Sequence, residues 1–345
     1  MKIWFDILTP KQVLFFEPMI KQLKKKNKIL CTSRKYREAN QLAKIRKLNM
    51  QIVGKHGGAD NFEKLQSSTD RIKKLATIIK KFSPDLTISF CSPEASRIAY
   101  GLRIKHIAFC NAPHAEAVMK LSIPLIRKLL IPKHIPKNEF VKHGISPKNI
   151  IHYNAMDEYM IVKGKSYHSP ASSLFLPKPK TILLRTHESK AAYFSSKLNI
   201  TKIIKKIEKE FSDCNIIVLG RYYDEIKHLK KSFSKNIIIL DKVVDSGKIL
   251  AKCDVFIGSG GTMTTEASLR GIPTISYDAV PNLDEKFLVR KGLVKRAKNE
   301  NEIIMLTQKL ISSKNDVFKK KAKKFLNSMD NPFLKLVETI RILKK

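Results

Sequence analysis

The sequence is poor in the features that assign a protein quickly. No stretch approaches the roughly 20 consecutive apolar residues of a membrane span; the longest candidate, LSIPLIRKLLIP at 121–132, is interrupted by Pro124, Arg127 and Lys128. The five cysteines, at 31, 91, 110, 214 and 253, form no C-x-x-C pair and are odd in number. That argues against a disulfide framework and fits reduced, mostly buried thiols. The opening MKIWFDILTP carries Asp6 inside its first apolar stretch, and no small-residue cleavage site follows a sustained apolar core. No secretory leader is expected, and the expected location is the cytoplasm, with the inner face of the cell membrane kept open. There is no G-x-x-x-x-G-K-[ST], no H-E-x-x-H and no G-x-S-x-G, so P-loop phosphate binding, a zincin-type metal site and a hydrolase nucleophile elbow are excluded.

Acidic residues are also few, 30 against 67 lysines and arginines, for a net charge of +37. Such an excess invites a nucleic-acid reading. Its texture opposes it: the lysines are spread through KKKNK, RIKK, IIKK, KHLKK and KKKAKK, few aromatics interleave them, and no nucleic-acid motif is present. No nucleic-acid partner is expected. Lysine on solvated helix faces is the plain explanation; attraction to anionic lipid, about 1 kcal/mol per lysine near the surface, is the other. The segment KLSIPLIRKLLIPKHIPK at 120–137 focuses that choice, being either a buried strand or a peripheral contact with an anionic membrane.

What is present is a rhythm. Short apolar runs alternate with longer lysine-rich amphipathic ones, from KIWFDI and VLFFEPMIKQLKKK onward. This repeated β-α pattern implies a parallel sheet with helices on both faces. It pauses at KGKSYHSPASSLFLPKPK (163–180) and restarts with TILLR and TKIIKKIEKEF. With 345 residues, too many for one ordinary core, the chain divides into an N-terminal domain over 1–165, a linker over 166–180, a C-terminal domain over 181–330 and a closing helix, 331–345, expected to pack back on the N-terminal domain. Ligands of such sheets bind beyond the carboxyl ends of the strands.

Of only 13 glycines, four stand at 258, 260, 261 and 271, around GSGGTMTTEASLRG. The local grammar is strand, glycine turn, helix, glycine stop, Pro273 and next strand. A dinucleotide fingerprint is one reading, with Asp278 as the ribose-binding acid, although Met263 occupies the third glycine position. A second needs only the backbone amides of Gly260, Gly261 and Thr262 at a helix N-terminus, where orphan N–H groups and the helix dipole favour phosphate. Glu266 then accepts hydrogen bonds from the two hydroxyls of a ribose. A third is purely structural: a tight turn, with Glu266 solvated.

GSGGTMTTEASLRGIPTIS resembles the nucleotide-diphosphate-sugar site of GT-B enzymes, including the glycosyltransferase that makes lipid II and the non-hydrolysing UDP-N-acetylglucosamine 2-epimerases. KIWFDILTPKQVLFFEPMI, the HGG at 56–58, CSPEASRIAYGL, NAPHAEAV and DEKFLVRKGLV at 284–294 carry a narrower resemblance, to the archaeal and bacterial family called domain of unknown function 354. It covers nearly the whole chain. It implies an α/β GT-B fold, two Rossmann-like doubly wound parallel-sheet domains with an interdomain cleft. Two departures stand out: Gln12 where the family usually shows His, and Asn111 where an acid is common.

The remaining candidates follow strands. His114 and Glu116 follow HIAFC and alternate toward one side if the segment is extended. Arg185, His187 and Glu188 follow TILLR, and Arg221 follows NIIVLG; arginine suits a diphosphate. His56-Gly57-Gly58 is a backbone nest or a simple turn. The resemblance adds Val243 and Val244, placed where GT-B proteins hold the base with main-chain groups. The resulting expectation is a glycosyltransferase of cell-surface glycan or glycolipid synthesis that uses a nucleotide-diphosphate sugar and no cofactor or metal. Ser259, Gly260, Gly261, Thr262, Glu266, Arg185, Arg221, Val243 and Val244 would bind the donor. Asp6, His114, Glu116, His187 and Glu188 are the catalytic candidates, and the acceptor would be lipid-linked or a glycan. A 2-epimerase, with protons handled by His187, Glu188 and Glu116, and a silent sugar-nucleotide or polyanion binder are the alternatives.

Overall fold

The computed structural model describes residues 1–58, 60–164, 178–187, 198–233, 237–277, 282–313 and 316–344. The chain forms two compact units, one of Met1–Gly164 with Met329–Lys345, the other of Lys165–Ser328. The first contains strands β1 (Lys2–Asp6), β2 (Lys28–Lys35), β3 (Gln51–Lys55), β4 (Leu86–Ser89), β5 (Lys105–Phe109), β6 (Lys128–Pro132) and β7 (Ile150–Tyr153). Its helices are α1 (Pro10–Leu23), α2 (Arg37–Ile45), α3 (Asn61–Phe82), α4 (Pro93–Gly101), α5 (Glu116–Ser122), α6 (Asn138–Val141) and α7 (Glu158–Val162). The second contains β8 (Thr181–Arg185), β9 (Asn215–Leu219), β10 (Ile237–Leu240), β11 (Val255–Gly258), β12 (Thr274–Tyr277) and β13 (Lys295–Ala297). Around them lie α8 (Ile200–Glu210), α9 (Tyr223–Ser232), α10 (Ser246–Leu250), α11 (Thr262–Leu269), α12 (Leu283–Arg290), α13 (Glu300–Ile311) and α14 (Asp316–Asn327). The chain then returns to the first unit as α15 (Pro332–Lys344).

The strands are parallel and the orders are β3-β2-β1-β4-β5-β6-β7 and β10-β9-β8-β11-β12-β13. Each order reverses once, between β1 and β4 and between β8 and β11. Such a switch point opens a crevice at the carboxyl edge of a doubly wound sheet. The second sheet shows why the strand sequences are continuously apolar: both faces are covered. Ile182, Leu184, Ile216, Val218, Val255 and Ile257 pack on Ile203, Ile204 and Ile207 of α8 and on Ile303 and Leu310 of α13. The alternate residues Leu183, Ile217, Leu219 and Phe256 pack on Ile249 and Leu250 of α10 and Ala267 of α11. This is the period of two expected of a strand.

Helix starts follow capping chemistry. Asn199, Asn282 and Asn299 accept the first backbone N–H groups of α8, α12 and α13, and Thr9-Pro10 and Ser92-Pro93 open α1 and α4, with proline at a position that lacks an N–H partner anyway. In α15, Phe333, Leu336 and Ile340 are buried, each contributing about 1.5–3 kcal/mol relative to exposure. The junction before it is pinned by Asp330, whose N–H donates to Asn154 O at 2.8 Å and whose Oδ2 accepts from Asn154 N at 3.2 Å.

The segment 120–137 is folded mostly inward, with Leu121 exposed and Leu125 half-buried. Its Leu129, Leu130 and Ile131 lie in β6 between β5 and β7, and Ile123 and Ile126 are buried as well. Ile123, Ile126, Leu129, Leu130 and Ile131 are therefore withdrawn from any peripheral membrane contact. No helix of the described residues is long and apolar enough to cross a membrane. The linker 166–180 lies outside the described residues except at its end.

Gly271 ends α11 in a paired motif: its N–H donates to Ser268 O at 3.1 Å and the N–H of Ile272 to Ala267 O at 3.1 Å, satisfying two orphan carbonyls. Its φ is +76°, and an added Cβ would lie 2.6 Å from Lys319 Cα of α14. Gly271→Ala is expected to lose about 1–3 kcal/mol from conformation alone, and more from displacing α14. A urea midpoint that falls at unchanged m-value checks this.

Candidate functional site

The glycine turn follows β11 at the switch point of the second sheet. At Gly258 a Cβ would overlap the Phe256 ring at 2.6 Å and Thr264 Oγ1 at 2.9 Å, so backbone, ring and helix approach closely only with glycine. Gly260 and Gly261 have φ of +80° and +78°, the left-handed region that glycine enters without a Cβ penalty. Gly261 is the N-cap of α11 and supplies no side-chain cap. The first N–H groups of a helix have no intrahelical acceptor, and here no capping side chain stands in front of them. Ser259 and Thr262 are half-buried and Gly261 is exposed.

One turn into α11, Glu266 is fully buried. Its Oε2 accepts from Ser246 Oγ at 2.7 Å, and its Oε1 accepts from Arg270 Nε at 3.0 Å and lies 2.9 Å from Arg270 Nη2. Burial pushes the carboxyl above its ordinary value, and the Arg270 charge and the hydrogen bonds from Ser246 and Arg270 offset only part of this. The solvated Glu266 of the purely structural reading is corrected: the helix turns its side chain inward, against α10. Asp278, required by the dinucleotide reading, and Glu188 lie outside the described residues.

The neighbouring strand ends bring up the basic groups. Arg185, at the end of β8, donates through Nη1 to Gly220 O at 2.7 Å, and its own carbonyl accepts from the Tyr277 hydroxyl at 3.1 Å. Arg221, after β9, donates through Nε to Thr186 O at 3.0 Å, and its N–H donates to Glu225 Oε2 at 2.7 Å. Both guanidinium stems are tied to backbone at one edge of the sheet. His187 is 8% exposed and meets the Tyr277 ring edge-on, with centroids 6.5 Å apart. Val243 and Val244 are half-buried between β10 and α10. Arg185, His187, Arg221, the glycine turn and Tyr277 thus share the carboxyl edge on β9, β8, β11 and β12. Within DEKFLVRKGLV, Glu285 is a second buried carboxylate; it accepts from Ser276 Oγ at 2.5 Å and lies 3.4 Å from Arg296, and burial raises it.

In the first unit the switch point is filled. Asp6 is fully buried; Oδ1 accepts from Arg71 Nη2 at 2.5 Å and Thr32 Oγ1 at 2.6 Å, and Oδ2 accepts from Arg71 Nη1 at 3.1 Å and Ser92 Oγ at 2.7 Å. Burial alone would raise its pKa; the Arg71 charge and these hydrogen bonds more than offset that and hold it below the ordinary carboxylate value. Asp6 is a structural charge, not a base open to a substrate. Gln12 is also committed, its Oε1 accepting from Leu8 N at 2.7 Å.

His114 is exposed, and the Glu116 side chain is 68% exposed and paired with Lys120 at 2.7 Å. The hydrogen bond and charge of Lys120 lower the Glu116 carboxyl. The chain there is a turn, with Ala115 N donating to Ala112 O at 3.1 Å and Glu116 N to His114 O at 2.9 Å, so the alternation expected of an extended segment does not hold. Asn111 is half-buried ahead of it. At 56–58 the turn reading fits: His56 Nδ1 accepts from Gly58 N at 3.0 Å, and a Cβ on Gly57 would lie 2.5 Å from Lys64 Cα.

Sequence reasoning passed over Arg71, Ser246 and Arg270. Arg270 carried a local signal, four residues beyond Glu266 on one helix face; Arg71 and Ser246 carried none.

Two parallel sheets with these strand orders make the chain a GT-B fold. Overlays agree over its full length: a UDP-GlcNAc 2-epimerase from Neisseria meningitidis bound to UDP-GlcNAc matches at a TM-score of 0.76 and 17% identity, covering 100% of both chains. The spinosyn forosaminyltransferase SpnP matches at 0.65 and 13%, also covering 100% of both. The protein belongs to the family described as protein of unknown function (DUF354), which matches residues 1–343. The uncharacterized protein MJ0665 of Methanocaldococcus jannaschii is 30% identical over 313 residues, 88% of this chain and 89% of that protein.

Breaking the Asp6–Arg71 pair from one side strands a buried charge. Arg71→Met is expected to cost about 3–5 kcal/mol, read by chemical denaturation. The native Asp6 carboxyl lies below its unfolded value of about 3.9, so its stabilisation is present above that pH and is lost as pH falls through the folded value. Without Arg71, burial dominates, and acid unfolding is expected to begin at higher pH than in the wild type.

Proposed function

We propose that the protein binds a nucleoside-diphosphate sugar on its second unit and transfers the sugar to an acceptor hydroxyl. The observation that carries this reading is the uncapped start of α11 behind two left-handed glycines at the switch point. Backbone N–H groups and the helix dipole there favour a diphosphate, and charge building on it as the glycosidic bond breaks is stabilised by dipoles already aligned. Arg185 and Arg221 add positive charge at the same edge, Glu266 takes the ribose hydroxyls, and the backbone at Val243 and Val244 takes the base. The acceptor side is assigned to the first unit. There His114 and Glu116 are the exposed groups able to accept a proton, a role Asp6 cannot fill from its ion pair. A lipid-linked or glycan hydroxyl is the acceptor class.

A second reading, sugar-nucleotide 2-epimerisation, is favoured by one observation. His187 sits at the edge that carries the glycine turn, held against Tyr277, where a proton carrier would be needed. UDP is the first nucleotide to test, because the N. meningitidis neighbour is a UDP-GlcNAc enzyme.

Calorimetry with UDP and the other nucleoside diphosphates is expected to show binding of at least one. Glu266→Ala should weaken it by about 1.5–3 kcal/mol, roughly one to two decades in Kd; no binding by any of them sinks the reading. Turnover of UDP-sugars in deuterated water separates the two chemistries. A transferase releases nucleoside diphosphate only with an acceptor and leaves the sugar carbons undeuterated. An epimerase places deuterium at the carbon whose hydrogen is removed.

A further inference from the structure

Glu266 is the most deeply buried acid of the candidate site, and its two oxygens have different partners. Oε1 is held by the Arg270 guanidinium through Nε at 3.0 Å and Nη2 at 2.9 Å, and Oε2 by a single hydroxyl, Ser246 Oγ, at 2.7 Å. Arg270 itself is 23% exposed at the side chain, long enough to reach back along α11 at the i,i+4 spacing. Room for it comes from α10: a Cβ on Gly247 would lie 2.9 Å from Arg270 Nη2. A serine hydroxyl turns away by one bond rotation, whereas a two-point guanidinium grip does not release so easily.

From this asymmetry we infer that Arg270 is a positioning residue for nucleotide recognition: it clamps Oε1 so that Oε2 faces the site and exchanges the Ser246 hydroxyl for a ribose hydroxyl. The inference rests on the nucleotide reading above. It assigns Ser246 the part of a stand-in for the ribose hydroxyl, making the same hydrogen bond to the same oxygen, so that the buried carboxylate is never without a donor.

Among the described residues, two charges act on Glu266 with opposite sign. Arg270 on its own helix favours the ionised form; Asp245, at the start of α10, opposes it. From α12, Glu285 is engaged by Ser276 and Arg296, and α14 meets α11 through the backbone of Lys319 at Gly271. Removing the Arg270 charge therefore leaves burial and Asp245 opposed only by the Ser246 hydrogen bond, and the folded carboxyl rises further above its ordinary value. A protonated Glu266 is a poorer acceptor, so binding requires ionisation, and apparent affinity falls with the ionised fraction.

The test combines two measurements on the full-length protein. The first is the carboxyl-carbon NMR titration of Glu266 without nucleotide. Arg270→Gln is expected to move its midpoint up by about one pH unit or more, Arg270→Lys to leave it near the wild-type midpoint by keeping the charge, and Gly247→Ala, which displaces the guanidinium, to move it partway. The second is UDP affinity from pH 5.5 to 8.5. The ratio of Arg270→Gln to wild-type Kd is expected to be largest at the acid end, with a ceiling of about tenfold per unit of midpoint shift where the pH lies below both midpoints, and to narrow as pH rises; taking the ratio cancels the ionisation of the UDP phosphate. An unmoved midpoint, or a Kd ratio independent of pH, overturns the role of Arg270 while UDP binding to the wild type leaves the nucleotide reading standing. Failure of the wild type to bind UDP or any other nucleoside diphosphate removes the proposal altogether.

Discussion

A carboxylate taken out of water near the switch point of each sheet is the constraint to which the surrounding residues answer. An ionised carboxylate in a protein interior needs a paired charge and further donors to persist. Asp6 receives both: a two-point contact with Arg71 and hydroxyls from Thr32 and Ser92. Its attractions exceed the burial cost and the net pKa falls. Glu266 receives one arginine and one hydroxyl, and Asp245 opposes it; burial wins and its pKa rises. The same residue chemistry thus makes a fixed structural charge in the first unit and a less firmly held one in the second.

The backbone around these charges explains where the scarce glycines stand. Gly258 admits the Phe256 ring, Gly260 and Gly261 take the left-handed turn, and Gly271 lets α14 approach α11. A side chain at any of the four would strain the turn or push a neighbouring group away, so the strand–turn–helix geometry behind the proposed diphosphate site is set by the absence of Cβ atoms. The basic residues at the same edge are positioned by the sheet. Arg185 ends β8 and Arg221 follows the neighbouring strand β9, and each donates to the backbone of the other's loop, to Gly220 and Thr186. The first unit uses its own edge differently. Its switch point is closed by the Asp6 network, and its exposed groups, His114 and Glu116, stand on the turn into α5.

The α/β class, the two β-α series and the strand–glycine–helix grammar were legible in the sequence because they depend on local chemistry. Buried parallel strands must be apolar, helix starts need oxygen acceptors, and left-handed turns need glycine. Apolar runs such as NIIVL and the glycines at 258, 260, 261 and 271 therefore announce themselves. The fate of the polar candidates was not legible, because it depends on partners distant in the chain. Asp6 reads as a strand-end acid until Arg71, 65 residues on, neutralises it. Glu266 reads as a ribose acceptor or a solvated helix residue, and its burial shows only when α10 brings Ser246 across from 20 positions away. KLLIP reads equally as strand or membrane contact until β5 and β7 flank it. The sequence alone determined which residues could form strands, turns and charges; only the tertiary structure decided which charges were withdrawn from water, since that follows from non-local strand pairing and helix packing rather than from any residue's neighbours in the chain.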